Sequence, residues 1–143
     1  MSATAGHAEE RTNPASRLGF EPGQVVQEIG YDEDVDHELR EGIEAIIGQD
    51  LVDEDYDDVA DAVLLWFRDE DGDLTDALVD TVGLIDDGGV VWLMTPKTGR
   101  DGYVETSDIS EAAQTAGLSQ GKSISAAKDW TGSRLVAPKS GKR

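Results

Sequence analysis

Residues 61–97, DAVLLWFRDEDGDLTDALVDTVGLIDDGGVVWLMTPK, decide the fold. Ala62 to Phe67 is a short, wholly apolar run flanked by charge, the pattern of a strand buried on both faces of a parallel sheet. Asp71-Gly72 reads as a turn, Asp73 as a helix N-cap, and Asp76 as a first-turn acid favoured by the helix dipole. Leu74, Ala77, Leu78, Thr81, Val82 and Ile85 then recur at helical spacing, and Gly88-Gly89 is expected to end that helix. Val90 to Met94 reads as a second buried strand. Strand, helix and strand make a βαβ unit, and the loop that leaves it carries Lys97 and Arg100. Open α/β sheets place ligands at that carboxyl end of the strands.

Upstream, Gln24 to Ile29 predicts a first strand closed by Gly30. Val35, Leu39, Ile43, Ile46 and Ile47 then share one face of a helix that Gly48 closes. Asp34, His37, Glu38, Glu41 and Glu44 share the opposite, acidic face. Leu51-Val52 reads as a short strand and DEDYDD as a solvated connector. Downstream, a loop from Thr95 to Thr106 leads to a third helix capped by Ser107 or Asp108 and ended by Gly117. Lys122 to Ala127 and Arg134 to Ala137 read as strands. Their link, Asp129-Trp130-Thr131-Gly132, is short enough for a hairpin and too short for a helical crossover.

The chain of 143 residues suits one domain. The expected organisation is a disordered tail over 1–16, a single α/β domain over 17–139 and a basic tail over 140–143. The expected architecture is three-layered and Rossmann-like, with a mostly parallel sheet and a C-terminal antiparallel hairpin. With no cysteine, disulfides and thiolate metal sites are excluded. The longest apolar run is far too short to cross a bilayer, and the first residues lack an apolar signal core, so a cytoplasmic location is expected.

Charge is unevenly placed. Residues 1–96 hold 4 basic and 26 acidic side chains, net −22, whereas residues 97–143 hold 8 and 5, net +3. Such a field repels phosphate backbones, which makes nucleic acid an unfavourable partner. One reading is a solubility or salt adaptation. The other is a face, built from Asp34, Glu38, Glu41 and Glu44, that engages a basic protein partner.

No motif carries a chemistry of its own. AGLSQGKS (116–123) has phosphate-loop spacing but follows a helix and precedes a strand, the reverse of the order a phosphate cradle needs. Asp32, Asp34 and Asp36 have calcium-loop spacing, but the sixth and twelfth positions hold His37 and Ile43 instead of Gly and Glu. Asp69 to Asp73 fails the same test. Asp34, His37, Glu38 and Glu41 could hold a divalent metal only with ligands from a second element, and no metal site is expected. Gly30 stands where a dinucleotide fold has its glycine-rich turn, but Tyr-Asp-Glu-Asp follows, and those carboxylates repel a pyrophosphate. Two functions remain open for Lys97, Arg100 and Trp130: holding an anionic group in a pocket, or forming surface ion pairs over a core tryptophan.

The strings GQVVQEIGYDEDVD, DLVDEDYDDVADAVLLWFRDEDGDL, WLMTPKTGRDGYVETSDISEAAQTAGL and DWTGSRLVAPK resemble an uncharacterised actinobacterial family, domain of unknown function three-zero-five-two, over residues 17–139. More distantly, the order of elements looks like the later half of a Rossmann-like methyltransferase. That class implies S-adenosylmethionine, held by a Gly-rich turn after the first strand. This chain has Glu28-Ile29-Gly30 at that position and a reduced first half. The expectation is therefore a non-catalytic binding or regulatory protein on a degenerate methyltransferase-like scaffold, without a cofactor. The alternative is an S-adenosylmethionine-dependent methyltransferase or small-ligand binder, its pocket lined by Gly30, Tyr31, Lys97, Arg100 and Trp130. Direct DNA binding through the basic C-terminal third is the weakest reading.

Overall fold

A computed structural model describes residues 13–138. Five strands form one sheet: β1 (Val26–Ile29), β2 (Ala60–Trp66), β3 (Ile85–Pro96), β4 (Ser119–Ser125) and β5 (Trp130–Val136), in the spatial order β1-β2-β3-β5-β4. β1, β2 and β3 are parallel, and β5 runs antiparallel to both its neighbours. The expected α/β architecture and closing hairpin are therefore present. The parallel character holds for the β1–β3 half alone, because inserting β5 between β3 and β4 makes two of the four pairings antiparallel.

Three helices cover the sheet: α1 (His37–Ile47), α2 (Leu74–Val82) and α3 (Thr106–Ala116). Helix α1 starts where the Asp36 carboxylate accepts the Leu39 N–H at 2.8 Å, and it stops at Gly48 with φ +80°. It buries Leu39, Ile43 and Ile47 against Leu64, Trp66 and Trp92 on one face of the sheet. Each such side chain contributes roughly 1.5–3 kcal/mol of transfer free energy. Helices α2 and α3 bury Leu78, Ile109 and Ala113 against Val63, Leu65 and Leu93 on the other face. A short 3-10 turn, Pro14–Leu18, packs beside α1, with Ala15 fully buried and the Leu18 carbonyl accepting the Trp92 indole N–H at 3.0 Å. The folded unit thus begins before residue 17. Of the tails expected over 1–16 and 140–143, residues 1–12 and 140–143 lie outside the described residues.

Why the two helix layers take opposite faces follows from Val52. It is bonded to the outer edge of β1 in parallel, with Glu28 N–H donating to its carbonyl at 2.8 Å and its own N–H donating to Val26 at 3.0 Å. The chain therefore leaves β1 toward one edge through α1, then returns past β1 to reach β2 on the other side. Right-handed crossovers in opposite directions put their helices on opposite faces. The buried Gln27 amide secures this return by donating to the carbonyls of Asp53 (3.0 Å) and Tyr56 (3.2 Å). The strand order reverses at β1 and β2, which makes the gap between their carboxyl ends the switch point of the sheet.

Local expectations are corrected at three places, the first being the link expected over Asp129 to Gly132: Trp130, Thr131 and Gly132 open β5, and the hairpin turn lies at 126–129. Gly88-Gly89 does not end α2, which already stops before Gly83; the pair lies inside β3. There the register jumps from Ala60–Ile85 to Ala62–Val90, so residues 86–89 bulge out of the ladder. A Cβ on Gly89 would lie 2.9 Å from the Asp86 carbonyl oxygen, which is why a small residue is needed. The N-cap of α3 is Glu105, not Ser107 or Asp108, and its side chain makes no capping bond.

Candidate functional site

The switch point is built from a glycine and an arginine. Gly30 ends β1 at φ +83°, and a Cβ there would run into the Trp66 carbonyl oxygen. Only glycine brings the turn this close to β2. The Gly30 N–H donates to Glu54 Oε2 at 2.9 Å, and its carbonyl accepts from Arg68 Nη1 at 2.9 Å. Arg68 lies two residues past the end of β2. Its Nη1 also donates to the Trp66 carbonyl (3.2 Å) and Asp71 Oδ2 (3.2 Å). The other edge of the guanidinium forks onto Asp34, Nε to Oδ2 at 3.0 Å and Nη2 to Oδ1 at 2.5 Å. The guanidinium carbon lies 5.3 Å from the centre of the Trp130 ring, a cation–π distance.

The charges at this point are held firmly. Burial works against the Arg68 cation, but hydrogen bonds to Asp34 and Asp71 outweigh it and raise its pKa above the ordinary value. The Arg68 hydrogen bond likewise holds the Asp34 carboxyl below the usual carboxylate range. The pair is asymmetric in exposure: the Arg68 side chain is 8% accessible and Asp34 56%. Asp34 also anchors its own loop, because its backbone carbonyl accepts the Trp130 indole N–H at 3.2 Å.

A second buried polar cluster lies two residues before Gly30, at Glu28. Glu28, in β1, takes the fork of Arg40 at 2.6 and 2.8 Å and the Trp66 indole N–H at 2.9 Å. This hydrogen bond raises the Arg40 pKa above its ordinary value. The Arg40 guanidinium sits 4.9 Å over the ring of Tyr31, itself half exposed, and the His37 ring meets Tyr31 edge-on at 6.0 Å.

Clefts flank these clusters. One of about 350 Å³ lies at the switch point, lined by Gly30, Tyr31, Glu54, Trp66, Arg68 and Asp71. One of about 610 Å³ lies over the ends of β3 and β5, lined by Asp34, Pro96, Gly99, Arg100, Asp129 and Trp130. The Arg68–Asp34 contact stands between them: Arg68 lines the first and Asp34 the second. A further cleft of about 430 Å³, walled by Asp53, Glu54 and Asp55, opens beside Tyr31 and Arg40.

The five residues expected to share one pocket are thus divided. Arg100 and Trp130 line the larger cleft, whereas Gly30 and Tyr31 line the switch-point cleft. Lys97 lines neither; its Nζ donates to Ser125 Oγ at 2.6 Å. Arg100 pairs with Asp129 at 3.2 Å, both side chains well exposed. The four acidic residues also separate. Glu38 and Glu41 are exposed, but Glu44 is half-buried and accepts the Leu51 N–H at 3.0 Å, and Asp34 is committed to Arg68. Among the described residues no group of three or more His, Asp or Glu is placed to hold a metal. The AGLSQGKS segment runs from the end of α3 into β4, so it is no phosphate cradle. No helix of the described residues is long and apolar enough to cross a membrane.

Sequence reasoning overlooked Arg68, Glu28, Arg40 and Asp71. A usable signal was present for Arg68, a lone base directly after the most apolar strand and followed by three acids. Glu28 gave an equivalent one, as an ionisable residue inside a predicted strand.

Comparison with solved structures shows the fold. The protein is similar to a methyltransferase from Pyrococcus furiosus (TM-score 0.53, 15% identity, 89% of this chain and 84% of that one). It is also similar to a SAM-dependent methyltransferase from Aquifex aeolicus (0.55, 13%, 90% and 91%). A possible exported protein from Bordetella parapertussis matches as well (0.56, 11%, 95% and 67%). These identities establish a Rossmann-like, methyltransferase-like fold and no activity. Among sequences, an uncharacterized protein of Mycobacterium tuberculosis and one of Mycobacterium bovis are each 48% identical over 143 residues, covering 99% of this chain and 90% of theirs. The family model for the protein of unknown function DUF3052 matches residues 15–139, and with the mycobacterial relatives it places this chain in that family.

Proposed function

We propose that this protein is a non-catalytic binding or regulatory protein, in which a methyltransferase-like scaffold has given up its cofactor crevice and presents an acidic face to a basic partner. One observation carries the reading: the chain's own Arg68 spans the switch point and bonds the Gly30 and Trp66 carbonyls on its two sides. Both backbone groups of Gly30 are bonded internally, the N–H by Glu54 and the carbonyl by Arg68. S-adenosylmethionine bonded to the Gly30 backbone would have to displace Glu54 from its N–H and Arg68 from its carbonyl. The residues present do not fit the cofactor.

The acidic half supports a basic partner. The described bases of the first 96 residues are all engaged internally: Arg17 on the Ser125 carbonyl, Arg40 on Glu28, and Arg68 on Asp34 and Asp71. Exposed Glu38 and Glu41 on α1, and Asp53 to Asp58 on the returning connector, therefore face solvent with little local compensation. Such a field steers cationic surfaces toward this edge of the sheet.

Two titrations test the reading. Addition of S-adenosylmethionine or its demethylated product to millimolar concentration should leave the melting temperature unchanged. A ligand at a hundred times its Kd would add about 2.7 kcal/mol, so a saturable rise would favour the methyltransferase alternative. A lysine-rich peptide should bind with an affinity that falls steeply between low and high salt. Binding indifferent to salt would remove the acidic face from the account.

A further inference from the structure

We propose that the loop joining β1 to α1, residues 30–36, is a strap across the carboxyl edge of the sheet, and that a basic side chain of a partner releases it by taking the Asp34 carboxylate from Arg68. The trigger rests on the acidic-face reading; the strap itself rests on geometry alone.

Between Gly30 and the Asp36 cap the loop is fastened to the rest of the molecule at few points, one of them the Tyr31 ring beneath Arg40 and edge-on to His37. Gly30 is bonded to Glu54 and Arg68, and Asp34 is bonded to Arg68 by its carboxylate and to Trp130 by its carbonyl. Val35 is buried just before α1. The bonds between Glu33 N–H and Asp32 and between Val35 N–H and Asp32 stay inside the loop and add no anchor. Asp34 therefore holds the middle of the strap by both its side chain and its backbone.

The two partners of that contact differ in access. Arg68 is buried and retains the Gly30 and Trp66 carbonyls and Asp71 when Asp34 departs. Asp34 is more than half accessible, so an incoming guanidinium or ammonium group reaches it from solvent. Its exchange of one cation for another leaves no carboxylate unpaired. Arg68 lines the smaller cleft and its partner Asp34 lines the larger one beside Trp130, so departure of Asp34 opens the 350 Å³ space toward the 610 Å³ space across Arg68 and Trp130.

Amide hydrogen exchange tests both parts on the intact protein. In Asp34→Asn the amides of Glu33 and Val35 and the Trp130 indole N–H should exchange at least tenfold faster than in the wild type, while amides of α2 and α3 keep their rates. Unchanged rates at those three sites, or a uniform acceleration that tracks global unfolding, would overturn the strap. Trp130→Phe provides the second variant, because it removes the carbonyl anchor but leaves the Asp34–Arg68 fork and a ring beside Arg68, and should accelerate Glu33 and Val35 less than Asp34→Asn. An oligo-arginine peptide added to the wild type should accelerate the same sites and have no further effect in Asp34→Asn. A peptide that binds in a salt-dependent way without accelerating them would overturn the trigger and leave the acidic-face reading intact. A peptide that does not bind would overturn that reading and the trigger together.

Discussion

Arg68 and Arg100 both face an aspartate at the carboxyl edge of the sheet, yet they stand in opposite physical situations. Arg68 is buried beneath Asp34, with every edge of its guanidinium bonded and its plane over Trp130. Arg100 and Asp129 meet at 3.2 Å with side chains 54% and 39% accessible. An exposed pair gains little, because water screens it and both side chains lose freedom. A buried guanidinium must have its donors satisfied, and removing it strands the groups it served. The same two residue types therefore build a keystone at one cleft and a removable surface contact at the other.

The largest test of that contrast is Arg68→Met. It keeps an unbranched apolar stem but leaves the Gly30 and Trp66 carbonyls without the Arg68 donor. It should cost about 2–4 kcal/mol in chemical denaturation, less than a fully buried pair would, because Asp34 and Asp71 can turn to water. A cost near that of an ordinary surface change would dissolve the distinction. Gly30→Ala sharpens it from the other strand. The substitution forces a side chain into a left-handed conformation and against the Trp66 carbonyl, so a loss of about 2–3 kcal/mol is expected.

Asp34→Asn should be milder, about 1 kcal/mol, since solvent already reaches that carboxylate. It should also change the acid limb of the stability curve. The folded Asp34 pKa is lowered by Arg68, so its contribution is complete above the unfolded value, about 3.9, and is lost as pH falls through the folded value. Unfolding followed over that acid range should thus show a smaller pH-dependent loss in Asp34→Asn than in the wild type. Smallest of all, Arg100→Ala should change stability by less than about 0.5 kcal/mol, and added salt should erase the difference.

The two regions were also unequally legible in the sequence. The apolar run at 62–67 and the helical spacing of Leu74, Leu78 and Thr81 reveal the βαβ unit, because burial on both faces of a sheet and on one face of a helix leaves a periodic trace. Arg100 could be placed beside Trp130 for a similar reason, as both flank strand ends that meet at one edge. The partner of Arg68 could not be found this way. Asp34 lies 34 residues away, in a loop without period, and only the reversal of strand order at β1 brings the two together. Asp34 fell on the acidic side of a helical projection, yet α1 begins at His37, so the projection did not apply to it. Gly88-Gly89 misled for a different reason: a glycine pair that permits a bulge within a strand looks the same as one that ends a helix.

The central claim is that Arg68 has taken the place of a ligand at the switch point, and a proton–nitrogen correlation titration tests it most directly. Wild-type protein, labelled so that the Gly30 amide and the Trp66 and Trp130 indole resonances are resolved, would be titrated with S-adenosylmethionine and its demethylated product to millimolar concentration. The account predicts that all three resonances stay where they are. Saturable shifts at Gly30 and Trp66 would show that the crevice still admits the cofactor, and the scaffold reading would give way to the methyltransferase or small-ligand-binding alternative.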